Sequence, residues 1–262
     1  MHTIELYDAP AADGTPVVHS FTFAERWDEL TAEQLGKLLL LQQSTLEPME
    51  QRIRALRLLA GIPKKLMARA FELDAEDIAL PQLDAFFVLD PKAPVVFEKS
   101  LLPAIVHEGR TWCGPKNTLG NFSVLQLSFA DICLQGVQQQ QSDESLNNLL
   151  GALYVPEDEN WTSEDIEARG AELASVAPHV KLAAAFNYAA LRAWLPTRYP
   201  RTFGKRKKEE EEREDYGIDG LLEALAGEKF GTVDQVGAKP LHPALVHSER
   251  KLEEREQLET AK

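Results

Sequence analysis

Leu146, Leu149, Leu150 and Leu153 recur at i, i+3, i+4 and i+7, so Ser142 to Leu153 reads as an amphipathic helix with one continuous apolar stripe. The same period runs through Leu35, Leu38, Leu39 and Gln42. There Thr31 stands three residues before Gln34, the pattern of a capping box that starts a helix. A second helix is expected from Pro48 to Ala60, with Pro48 in its first turn, Gly61 as its stop, and Ile53, Leu56, Leu59 and Ala60 inward. Pro63 to Phe71 is a third. Asp74 caps a short turn that ends before Pro81, and Gln82 to Leu89 makes one more segment. From Ser123 to Gln141 the helical period returns, with Leu125, Phe129, Ile132 and Cys133 expected inside. Two further helices, Ser163 to Ser175 and Pro178 to Leu195, precede Pro196 and Pro200, which break the pattern.

Alternation takes over in two places. Ile4 to Tyr7 and Val17 to Phe23 carry apolar residues at partly alternating positions around Asp13-Gly14, which predicts a hairpin or an extended arm. Between Pro91 and Pro115, the runs Val95-Val96-Phe97, Ile105-Val106 and Thr111-Trp112, with a Glu108-Gly109 turn, predict a small antiparallel element.

The pattern changes again at Lys205-Arg206-Lys207-Lys208, which run straight into Glu209 to Glu212 and on to Asp215. The expected fold is therefore mainly α. A multi-helix globular body with a small antiparallel β element covers residues 1–204, and a charged helical C-terminal arm covers 205–262. In the arm, Ile218, Leu221, Leu222 and Leu225 make a short apolar face. Leu241, Leu245, Leu252 and Leu258 are too widely spaced to hold a helix alone, although Glu and Lys or Arg pairs would help it form.

Charge narrows the range of partners. The chain has 262 residues, 44% of them apolar, and a formal net charge of -14, which disfavours broad binding to nucleic acid or anionic membrane. Residues 1–204 carry 17 basic and 27 acidic side chains and residues 205–262 carry 11 and 15, so the acidity is not confined to the arm. The basic cluster from Arg198 to Lys208, with Tyr199 and Phe203, is the one place suited to a single strand. The adjoining acidic run would repel phosphate within a Debye length. The apolar run Leu149 to Val155 is far too short to span a bilayer, and Met1 to Pro16 lacks the layout of a signal peptide.

Chemical motifs are sparse. Trp112-Cys113-Gly114-Pro115-Lys116 resembles a thioredoxin active-site sequence, but Lys116 stands where the second cysteine would be, so Gly114-Pro115 reads as a strand end and turn. Cys113 and Cys133 match no zinc or disulfide framework, and His242 and His247 are at i, i+5, off the spacing that puts two ligands on one helical face. No metal and no cofactor are expected. Asp131, between Ala130 and Ile132, is the best single carboxylate for acid-base work, with His107 as a conceivable partner. A cap or buried hydrogen bond is the simpler role.

Several short stretches carry a family resemblance: Trp27-Asp28-Glu29-Leu30-Thr31, Gly114-Pro115 with Leu119 and Asn121, Ser123, Phe129-Ala130-Asp131, Leu149 to Pro156, Phe230 to Val233, and Pro240-Leu241. Together they resemble uncharacterised proteins encoded among the tail genes of phages and prophages of the Bacteroidetes type. The resemblance implies a non-enzymatic role in phage morphogenesis, as a tail assembly chaperone in the bacterial host cytoplasm. Its partner would be a protein, the tape-measure or tail-tube protein, with oligomer formation an option. A chaperone of that kind needs exchangeable apolar grooves, placed here at Leu146, Leu149, Leu150 and Leu153 and at Ile218, Leu221, Leu222 and Leu225. The alternatives are a virion structural component, such as a connector or tail protein, and a host cytoplasmic adaptor.

Overall fold

The computed structural model describes residues 1–8, 13–15, 17–71, 83–87, 94–140, 142–203 and 231–260. The fold is mainly α, with one two-stranded and one three-stranded antiparallel sheet among the described residues. The chain divides into two compact units, Met1–Val95 with Ala177–Ala183, and Val96–Val176 with Ala184–Lys262. The expected boundary at 204/205, the charge reversal, the Asp74 cap and the stretch Ile218 to Leu225 all lie outside the described residues.

The first unit opens with a hairpin. Strands β1 (His2–Asp8) and β2 (Val17–Phe23) pair with Ile4 opposite Phe21 and Leu6 opposite His19, and Ile4, Leu6 and Phe23 are buried. Near the turn, the Asp13 carboxylate accepts from the backbone N–H and the hydroxyl of Thr15. Helix α1 (Ala32–Gln42) starts on the expected capping box: Thr31 Oγ1 accepts from Gln34 N at 3.2 Å and Gln34 Oε1 accepts from Thr31 N at 3.0 Å. Helix α2 (Pro48–Ala60) ends on Gly61 with φ 67°. Helix α3 spans Lys64–Phe71, and α4 is the single turn Asp84–Phe87. Gln34 Nε2 donates to Leu59 O at 3.1 Å and ties α1 to α2. Trp27 lies edge-on to Phe86 at 5.2 Å and donates its indole N–H to Ala85 O at 3.0 Å.

The second unit contains the minor sheet. Strands β3 (Ala104–His107) and β4 (Arg110–Cys113) join through Glu108 and Gly109, both at positive φ (49° and 76°), as a two-residue hairpin turn of right-handed twist requires. A third strand, β5 (Val155–Pro156), pairs with β4 and was not legible in the pattern. Val95 to Phe97 is not a strand. The Phe97 amide donates instead to Ala190 O at 3.0 Å, and its ring is buried.

Helices α5 (Val124–Gln140), α6 (Asp143–Leu153), α7 (Ile166–Glu172), α8 (Pro178–Arg198) and α9 (Pro200–Phe203) follow. The expected inward face of α5 is corrected. Val124, Leu127 and Ala130 are buried together with Gln126 and Ser128, whereas Leu125, Phe129 and Cys133 are half-buried and Ile132 is 54% exposed. The apolar residues of this helix do not form one stripe. Both α6 and α10 (Val233–Gly237) pack on α5, so its first half is enclosed from more than one side. Pro196 does not end α8, which runs on to Arg198. A missing N–H in the last turn removes only one ladder bond, and Tyr199 N still reaches Leu195 O at 2.8 Å.

The pair α6 and α7 cross on glycine. A methyl group on Gly151 would overlap the Ile166 carbonyl, and one on Gly170 would lie 2.8 Å from Asn147 O. The last carbonyls of α6, which have no partner within the helix, are met by side chains. Arg169 Nε donates to Gly151 O at 3.0 Å, and Gln126 Nε2 and Trp161 Nε1 donate to Ala152 O at 3.3 and 2.9 Å. Arg169 is 2% exposed, and burial lowers its tendency to hold its proton against the pull of Asp165.

The final helix, α11 (Leu241–Thr260), forms despite its sparse leucines because the rest of the unit completes it. Ser123 bridges to Pro240, Val124 N donates to Lys239 O at 3.1 Å, and Leu241 N donates to Phe122 O at 2.9 Å. Val236, Leu241, Ala244 and Leu245 are buried, whereas Lys251 and residues 253–258 are exposed. Among the described residues, no helix is long and apolar enough to cross a membrane.

Candidate functional site

The leucine stripe of α6 lies inside the second unit. Leu149 and Leu150 are fully buried, Leu153 is 1% exposed and Leu146 is half-buried, because α5 and α7 cover the helix. Leu149, Leu150 and Leu153 are core among the described residues, and Leu146 keeps part of its surface. The other expected partner residues, Ile218, Leu221, Leu222 and Leu225, lie outside the described residues.

Asp131 stands at the centre of a polar cluster between α5 and α8. Its Oδ1 accepts from the Tyr188 hydroxyl at 2.6 Å, and its two oxygens accept from Arg192 Nε at 3.2 and 2.8 Å. Tyr188 has one hydroxyl proton, and the carboxylate, at 2.6 Å, takes it in preference to Leu127 O at 3.4 Å. Burial pushes the Tyr188 phenol well above its ordinary pKa, and the charge on Asp131 adds to that. On its other side, the Arg192 guanidinium lies 4.7 Å from the centre of the Phe203 ring, so one cation links α5, α8 and α9. The carboxylate thus fixes the orientation of two long side chains. Sequence spacing gave no hint of partners 57 and 61 residues away.

A second cluster surrounds the Gly114–Asn121 loop, where Thr118 and Leu119 both hold positive φ (55° and 60°). Backbone strain in two consecutive non-glycine residues persists only where surrounding bonds over-determine it. Here they do. Gly114 N donates to Pro103 O at 2.8 Å, Lys116 N to Asn121 Oδ1 at 2.8 Å, Thr118 N to Glu98 O at 2.9 Å, and Asn121 Nδ2 to Gly114 O at 3.2 Å. His242 closes the loop from α11. Its Nε2 donates to Thr118 O at 2.9 Å, which leaves Nδ1 to accept from the Tyr199 hydroxyl at 2.8 Å. The Asn187 amide completes the surroundings. It is fully buried, its Oδ1 accepts from Leu101 N at 2.8 Å, and its Nδ2 donates to Ser100 Oγ at 3.2 Å. The available signal for Asn187 was a lone amide in the apolar run Ala183 to Leu191.

His107 is engaged elsewhere than Asp131: its Nε2 lies 3.0 Å from Ser175 Oγ and 3.7 Å from Glu108 Oε1. Both acidic and serine contacts fall on the same ring nitrogen, whereas a nucleophile-base-acid relay places them on opposite nitrogens. Cys113 sits in β4 opposite Ala104 and Val155, and burial raises the pKa of the Cys133 thiol. Among the described residues, no group of three or more His, Cys, Asp and Glu is placed to hold a metal ion. No protein-family model, no curated protein and no solved structure matches the chain.

Proposed function

We propose that this chain is a non-enzymatic phage morphogenesis protein that works through protein contacts, as a tail assembly chaperone in the bacterial host cytoplasm. The observation that supports this reading is the meeting of segments that carry the resemblance to tail-gene proteins. They are dispersed in sequence, and several of those in the second unit pack against one another, whereas Trp27 to Thr31 lies in the first. Gly114 abuts the Tyr154 ring, Asn121 bonds Gly114, and Ser123 bridges to Pro240. A group of proteins sharing the stretches of the second unit would share these contacts.

The reading puts the tape-measure contact away from Leu149, Leu150 and Leu153 of α6, which are interior. Ile218, Leu221, Leu222 and Leu225 keep the partner-binding role proposed for them. Burial of an apolar face against a partner, exchangeable for tail-tube subunits, is the chemistry such a chaperone needs. The test is a mass-spectrometric comparison of purified virions with infected-cell lysate, with light scattering of the isolated protein. The expected result is abundance in the lysate, co-purification with the tape-measure protein and absence from finished particles. A fixed copy number in the virion would replace this reading with a connector or tail component.

A further inference from the structure

Helix α11 changes character at Glu249. Before it, Leu241, Ala244 and Leu245 are buried, His242 is hydrogen-bonded through both ring nitrogens, and Ser248 is 8% exposed. From Glu249 onward, carboxylates stand at i, i+4 and i+7 as Glu249, Glu253 and Glu256, which puts all three on one face. That face meets α9. Arg201 reaches Glu256 through Nε at 3.1 Å, Glu253 through Nη2 at 3.6 Å and Glu249 through Nη1 at 3.9 Å. Glu249 Oε1 also accepts from the Thr202 amide at 2.6 Å, and the Thr202 and Ser248 hydroxyls are 3.2 Å apart.

We propose that α11 is a two-part strap: residues 241–248 stay docked while residues 249–260 open and close on α9 through a clasp at Arg201 that responds to ionic strength. Two kinds of force act within this one helix. The first half is held by apolar burial and enclosed hydrogen bonds, which salt does not screen. The outer part of the clasp works in water: the side chains of Arg201, Glu253 and Glu256 are 38%, 48% and 60% exposed, while Glu249, at 15%, lies next to the docked half. Single exposed ion pairs contribute little, and three carboxylates converging on one guanidinium make a contact strong enough to hold a helix end and weak enough to release it. The inference does not depend on the tail-assembly reading.

Hydrogen exchange of the full chain, read by mass spectrometry, tests it. Exchange across residues 250–258 is expected to speed up roughly threefold in Arg201→Gln, and similarly in the wild type at about 1 M salt, while residues 242–248 keep their protection. Arg201→Lys, which keeps the charge without the fork, is expected to fall between. Fast exchange in 250–258 that neither salt nor Arg201→Gln alters would mean simple fraying and overturn the clasp. Loss of protection along the whole helix would overturn the division into two parts.

Discussion

Each of the two units is held by ties that span different distances along the chain. In the first, several ties join near neighbours: Thr31 and Gln34 cap α1, Pro48 and Gly61 bracket α2, and β1 pairs with the next strand. Trp27, bonded to Ala85 across 58 residues, is a longer tie there. In the second, buried and half-buried polar side chains bridge long separations: Tyr154 to Leu102 across 52 residues, Asn187 to Leu101 across 86, and His242 to Thr118 across 124. A buried donor or acceptor left without its partner costs more than its bond contributes when made. The second unit therefore tolerates few alternative arrangements of its chain; the first adds local signals within its elements to long ties of its own, such as the close approach of Gly36 to the His179 carbonyl.

The strongest way to break this comparison is Gly151→Val. Its side chain would overlap the Ile166 carbonyl at the α6–α7 crossing, and the expected loss is about 3 kcal/mol or more. Hydrogen exchange should then show α6 and α7 unprotected while β1, β2, α1 and α2 keep their protection. Simultaneous loss everywhere would mean that the two units unfold as one and that the contrast has no thermodynamic meaning.

Alkali offers a graded version. Burial raises the phenol pKa of both Tyr154 and Tyr188 above the ordinary value near 10, so above that pH the folded state holds protons that the unfolded state has lost. The stabilisation is complete below about pH 10 and falls as pH rises through it, by about 1.4 kcal/mol per pH unit for each tyrosine. Denaturant titrations near pH 8 and near pH 11, followed by exchange within the second unit, check this. A transition indifferent to alkali would show that the phenols are not enclosed. The smallest expected effect sharpens the other side: Thr31→Ala should cost about 1 kcal/mol and speed exchange at the start of α1. A larger effect than that of Gly151→Val would reverse the ranking of local and long-range ties.

Legibility followed the same line. The Thr31 cap, the Gly61 stop and the Glu108-Gly109 turn each need only a few adjacent residues, and each was readable. The leucine stripe of α6 was readable as a helix but not as core, since a period of 3.6 states which face is apolar and not what covers it. The α5 face was misread for a related reason: a helix packed from more than one side has no single stripe to find. Asp131 stood out as a carboxylate among apolar neighbours, but its partners on α8 left no trace in its own surroundings.

The sequence by itself determined most of the helices from α1 to α8, the Glu108-Gly109 hairpin and the mainly α class, because hydrophobic period, caps and turn residues act over at most a few residues. Only the tertiary structure decided that Leu149, Leu150 and Leu153 are interior, that Arg192 joins Asp131 to Phe203, and that the sparse leucines of α11 suffice for a helix. Burial and buried hydrogen bonds depend on which distant segments arrive at the same place, and one stretch of chain carries no record of what will pack against it.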